Sequence, residues 1–255
     1  MANVLAIVDM LWGEEEGEKL AGSAISQGVG LLTNWEEWRP GKVTYGWLLI
    51  AGATNPPKRI QTSERRSKEH RSGNFLDGTK YDMQVMEDFV TKIKLGNLHN
   101  TLRMLDIKKD DVVERIMKFF TWCKEKEYKP VLYYSGHGEY GSGDWCFSDG
   151  TISVDEIENN LPVGTYYPLI ISDCCYSGRW SNYCLNRNKS KDLEFHCLSA
   201  CPEDSTALDI ANGGGELTMW MTGQIPRPSK EPLYSAGTRK DYGFKNKPYH
   251  VYIRR

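Results

Sequence analysis

Two segments of this 255-residue chain carry residue types able to do covalent chemistry. The first, Val131 to Gly138 (VLYYSGHG), is an apolar run that ends on His137 between two glycines. The second, Pro168 to Gly178 (PLIISDCCYSG), ends on Asp173, Cys174, Cys175, Tyr176, Ser177 and Gly178. A short continuous apolar run reads as a strand buried on both faces. The carboxyl ends of such strands are where open α/β sheets hold their ligands. If the two strands are parallel neighbours, an imidazole meets a thiol. That pair suits nucleophilic catalysis, in which a thiolate attacks a carbonyl and the histidine protonates the leaving amine. Either residue alone would read as core, but two strand-end motifs in succession favour chemistry. The flanking glycines would let the backbone approach a substrate closely.

The elements that must position these residues follow from hydrophobic pattern. Strands are expected at Tyr45 to Ala51, Thr101 to Leu105, Pro130 to Tyr134, Pro168 to Ser172, Phe195 to Ser199 and His250 to Ile253. Helices fit Lys80 to Ile93, with Met83, Met86, Phe89, Val90 and Ile93 on one face, and Asp110 to Lys126. Ser153 to Leu161 is a third, with Ser153 and Glu156 at the spacing of a capping box. Strands alternating with helices predict an α/β fold, a mostly parallel six-stranded sheet flanked by helices. Between Trp145 and Gly150 a hairpin is expected to close near Ser148-Asp149-Gly150. Residues 1–41 read as an N-terminal helical extension and 42–255 as the folded domain. Asn55 to Asn74, with basic residues between 58 and 71, and Gly223 to Lys247 read as surface loops.

The two strand-end motifs resemble those of the caspase-like cysteine peptidases, and within them the metacaspases. Their hallmarks Y-S-G-H-G and D-x-C-x-S-G stand here as Tyr134 to Gly138 and Asp173 to Gly178. The resemblance implies a caspase-like fold with Cys175 as nucleophile, Cys174 at the variable position and His137 as general acid and base. Tyr176 replaces the histidine usual after the nucleophile. It extends to GWLLIAG and Leu76 to Asp82 (LDGTKYD) upstream, and to LSACPEDSTALD and GGGELTMWMTG downstream, covering roughly residues 44 to 223. It also implies an oxyanion hole from the amides of Gly138 and Cys175. An acidic pocket from Asp82, Ser135 and Asp173 is implied in the same way. Two carboxylates on one partly buried site favour a cation, and Arg best of all because its fork can donate to both. The expected cleavage is therefore after Arg or Lys. Leu76 stands where caspases carry a substrate-binding arginine, so aspartate specificity is not expected. Calcium activation is not expected either, because the acidic pair that holds calcium in some relatives reads Val154-Asp155 here, and the position seven after the nucleophile is Asn182.

Composition narrows the rest. Lys and Arg number 32 against 34 Asp and Glu, a formal charge of −2, which argues against a nucleic-acid binder. Seven cysteines without C-x-x-C spacing fit neither a disulfide framework nor a zinc site. They suggest a reduced cytoplasmic protein. No stretch nears the ~20 apolar residues of a membrane span. The partner expected is a peptide or protein substrate, in regulated proteolysis or cell death by family resemblance. The rival is a catalytically silent caspase-fold scaffold, although retention of both His137 and Cys175 weighs against it. About twenty residues separate Cys175 from the next strand, so an excisable linker has little room, with Arg187, Lys189, Lys191 and the basic loop as candidate self-cleavage sites.

Overall fold

Strand β1 (Tyr45–Ala51) is buried along its whole length, as its unbroken apolar sequence requires. In the computed structural model, which describes residues 44–53, 56–60, 62, 75–92, 97–102, 106–191, 195–208, 213–225, 233–235 and 250–252, it lies one strand in from the edge of a seven-stranded sheet. The order is β2 (Asn97–Leu102), β1, β3 (Lys129–Ser135), β6 (Leu169–Asp173), β7 (His196–Ser199), β8 (Leu233–Ser235) and β9 (His250–Tyr252). The first five strands run parallel and the last two antiparallel. A separate two-stranded ribbon, β4 (Trp145–Cys146) with β5 (Thr151–Ile152), forms the expected hairpin, closed by Phe147 N–H donating to Gly150 O at 2.8 Å.

Alternation along the strands sends side chains to two cores. On one side Trp47, Leu49, Val131, Tyr133 and Ile171 pack with α1 (Phe75–Lys92) and α5 (Glu216–Met221). On the other, Leu48, Ile50, Leu132, Tyr134 and Ile170 pack with α2 (Lys109–Lys126), α3 (Val154–Asn159) and α4 (Gly178–Lys191). Each fully buried large side chain contributes on the order of 1.5–3 kcal/mol of transfer free energy. The Ser153 cap forms as its spacing predicts, its Oγ accepting Glu156 N–H at 3.2 Å.

Three expectations need correction. The sheet has seven strands rather than six, because β8 lies in the segment read as loop between 223 and 247. Three residues are too few to display a period, and β8 is held by backbone pairing to β7. Strand β2 begins at Asn97, four residues before the expected Thr101. It is a sheet edge, where Asn97 and His99 are exposed, so polar residues mask its start. Its His99 ring rests against Trp122 at 4.8 Å, and the partial desolvation of that one face lowers its pKa although the residue is exposed. Helix α1 begins five residues before the expected Lys80, at Phe75, where Gly78 and Thr79 interrupt the helical sequence pattern.

The connection from β6 to β7 is largely the helix α4. Arg187 lies in it, its guanidinium forked onto the Glu158 carboxylate, to which the Tyr183 hydroxyl also donates at 2.6 Å. A peptidase binds its substrate extended, so cleavage at Arg187 would require unwinding α4 and breaking that pair. The side chains of Lys189 and Lys191, the extension 1–41 and most of the basic loop 58–71 lie outside the described residues. Among the described residues no helix is long and apolar enough to cross a membrane.

Candidate active site

The register of the central strands sets the site. Ser135 pairs with Asp173 across β3 and β6, and Gly136 N–H donates to Asp173 O at 3.3 Å. His137 and Cys175 each lie two residues beyond that pair, at the same level of two strand ends about 4.8 Å apart. The approach of the two loops is close: a Cβ on Gly138 would fall 1.9 Å from the Cys175 carbonyl oxygen. Only glycine fits there. Tyr176, immediately after Cys175, adopts a left-handed φ of 61°, which turns the chain sharply from β6 toward α4. Its amide donates to Ser205 O at 2.8 Å, tying the turn to the loop after β7.

The two adjacent cysteines have different surroundings. Cys174 points into the core, with Ser172 Oγ at 3.3 Å, and burial pushes its thiol pKa well up. A thiol held protonated is a poor nucleophile. Cys175 lines a cavity whose wall Cys174 also reaches, and its own Sγ lies 3.9 Å from Ala207 O. All seven cysteines are free thiols.

Asp82, Ser135 and Asp173 line that same cavity, together with Thr79, Leu208 and Gly215. Ser135 Oγ donates to Asp82 Oδ2 at 2.6 Å. Gly215 N–H reaches both Asp82 oxygens, at 3.0 and 3.1 Å. Asp173 Oδ2 accepts the Thr218 amide at 2.9 Å and the Thr218 hydroxyl at 2.7 Å. The sequence-predicted pocket residues are thus brought together, although His137 stands beside the cavity rather than in its lining. Sequence reasoning missed Gly214, Gly215, Thr218 and Tyr133. The run Gly213-Gly214-Gly215 was the available signal: a Cβ on Gly214 would lie 1.7 Å from Asp82 Oδ1, and one on Gly215 2.2 Å from Asp173 Oδ2.

Below the His137 loop, the Tyr134 ring stacks on Trp145 at 4.6 Å and Trp145 on Trp180 at 4.3 Å. The Tyr134 hydroxyl donates to His137 O at 2.8 Å and accepts Cys146 N–H at 3.1 Å. Trp145 Nε1 donates to Ser172 Oγ at 2.9 Å, so the stack is fixed to β6. At the positions considered for calcium, Asn182 donates to Glu203 at 2.6 Å. Among the described residues no three His, Cys, Asp or Glu side chains converge as a metal site.

A family model described as the caspase domain matches residues 68–232. No curated protein matches the sequence. Among solved structures, the chain is similar to Raptor from Chaetomium thermophilum, at 15% identity and a TM-score of 0.44, over 67% of this chain and only 16% of that one. It is also similar to caspase-1 from Spodoptera frugiperda, at 11% identity and a TM-score of 0.45, over 72% of this chain and 69% of that one.

Proposed function

The chain belongs to the caspase-domain family, and from that premise we propose that it is a cysteine endopeptidase of metacaspase type that cleaves after Arg or Lys. Cys175 attacks the scissile carbonyl, and His137 takes the thiol proton and delivers it to the leaving amine. The oxyanion is held by the amides of Gly138 and Cys175. Water then hydrolyses the acyl-enzyme, with His137 accepting its proton and returning it to the thiol. Asp82, Ser135 and Asp173 hold the cationic side chain of the residue before the cut. No resident metal or cofactor takes part. A reducing compartment such as the cytoplasm suits seven free thiols. Regulated proteolysis or cell death is the role that the family resemblance suggests.

The observation that supports this reading is the pairing of Ser135 with Asp173, since that register brings the His137 and Cys175 loops side by side and sets Asp173 next to Ser135, whose hydroxyl donates to Asp82. The test is a panel of fluorogenic peptides ending in Arg, Lys, Asp or Asn, with Cys175→Ala as control and with calcium present and absent. Turnover of the Arg and Lys peptides alone, abolished in Cys175→Ala, is the expected result. No turnover of any peptide favours the scaffold reading, and preference for Asp overturns the acidic pocket.

A further inference from the structure

Two buried hydroxyls under the pocket take no part in that chemistry. Thr218, in the first turn of α5, is fully buried and gives both its amide and its hydroxyl hydrogen to Asp173 Oδ2. Tyr133, from the middle of the sheet and equally buried, meets Thr218 Oγ1 in a very short hydrogen bond. Threonine has one hydroxyl hydrogen, and an ionised carboxylate only accepts. With that hydrogen on Asp173, the phenol must donate to Thr218. The bonds run in one direction, from Tyr133 to Thr218 to Asp173. Tyr133 keeps its proton throughout, because burial, reinforced by the charges of Asp82 and Asp173, holds its pKa well above the usual phenol value. Ser135 gives its own proton to Asp82, and the charges of both carboxylates act on the one phenol.

We propose that Thr218 and Tyr133 are positioning residues of the cation pocket, a hydroxyl relay that fixes which edge of the Asp173 carboxylate turns toward a guanidinium or ammonium group. The proposal rests on reading the cavity as the site for the substrate's cationic side chain. Both donors from Thr218 land on one oxygen, so they hold the carboxylate against rotation before a ligand arrives. Ordering an acceptor in advance lowers the cost of binding. Neither residue touches the reacting atoms, so the relay affects binding of the side chain and leaves bond making at Cys175 unaltered.

Thr218→Val preserves shape and the backbone donor while removing the hydroxyl, and Thr218→Ser restores it. The readouts are kcat and KM on an Arg peptide, and calorimetric titration of benzamidine into each variant carrying Cys175→Ala. Loss of a charge-assisted hydrogen bond predicts about a tenfold rise in KM and about a tenfold loss of benzamidine affinity for Thr218→Val, with kcat within about twofold of wild type. Thr218→Ser returns both to within about threefold of wild type, and Tyr133→Phe raises KM about threefold. Wild-type behaviour of Thr218→Val in both assays overturns the proposal, as does equal damage in Thr218→Ser, which would assign the effect to packing. If Thr218→Val does not fold, Tyr133→Phe decides, and unchanged KM and affinity overturn the relay. A wild-type protein that neither binds benzamidine nor cleaves after Arg or Lys removes the pocket reading and the relay with it. Binding by wild type and Thr218→Val alike removes the relay alone.

Discussion

Tyr133 and Tyr134 are neighbours in sequence, yet they serve opposite sides of the sheet by different physics. Tyr133 sends its hydroxyl into a polar network of Thr218 and two carboxylates. Tyr134 lies in an aromatic stack with Trp145 and Trp180, and its hydroxyl grips the backbone at His137 and Cys146. One side of the site is therefore held by hydrogen bonds to charged acceptors, and the other by ring packing and tight backbone approach. Hydrogen bonds to a side chain can be strained or lost one at a time. Backbone contact cannot yield without moving a loop. The difference teaches that substitutions on the pocket side should degrade recognition gradually, whereas those on the loop side should fail abruptly.

Gly138→Ala is the most severe test of that contrast. Its Cβ would overlap the Cys175 carbonyl oxygen at 1.9 Å, backbone against side chain, so the His137 loop must shift. A loss of about 10²-fold or more in kcat is expected, the scale of one oxyanion donor, read in steady-state turnover of an Arg peptide. Gly215→Ala places a Cβ 2.2 Å from Asp173 Oδ2 and 2.6 Å from its Cγ, so that side chain must be pushed aside and its bonds to Thr218 strained, a side-chain rather than a backbone displacement. Its expected effect is a KM raised about tenfold with kcat nearly unchanged, and a fall in kcat as large as that of Gly138→Ala would erase the distinction.

The smallest effect concerns the catalytic-loop side and stability. Burial, with Glu139 as the nearest like charge, raises the Asp144 carboxyl to about 6. The folded chain then binds more protons than the unfolded one between about pH 4 and 6, so stability falls as pH rises through that window. Asp144→Asn removes the ionisation and should be more stable than wild type at pH 7 by about 1–2 kcal/mol after allowing for solvent screening. Urea unfolding at pH 4.5 and 7 checks it: the gap between the two proteins should widen with pH.

Strands such as β1, β3 and β6 were legible because burial on both faces leaves no polar residue to break the run. Cys175 was singled out over Cys174 by the motif resemblance alone; in the structure Cys174 is a buried thiol whose pKa burial raises. Asp82 lies 53 residues before Ser135, and only the family motif could pair them, since periodicity places Asp82 on a helix without saying what it faces. Thr218 and Tyr133 stayed hidden for a related reason. A threonine after an apolar residue in a helix and a tyrosine in a core strand look like ordinary structure until the third dimension brings their hydroxyls together. Strand β8 could not be read at all, because its stability comes from its neighbour's backbone.

The cavity draws on Thr79 and Asp82 from α1, Ser135 from β3, Asp173 from β6 and Cys175 just beyond it, Leu208 from the loop after β7, and Gly215 just before α5. Contacts so distant along the chain form late in folding, after loop closures that carry a large entropic cost. During synthesis, a chain that has reached only the end of β3 carries neither His137 nor Cys175, and one that has reached Cys175 still lacks Ala207, Leu208 and Gly215 of the cavity lining. Under the proposed function, the growing chain has no complete site while its own basic residues are exposed on unfolded polypeptide. The sheet order thus acts as a timer on reactivity, built from connectivity alone.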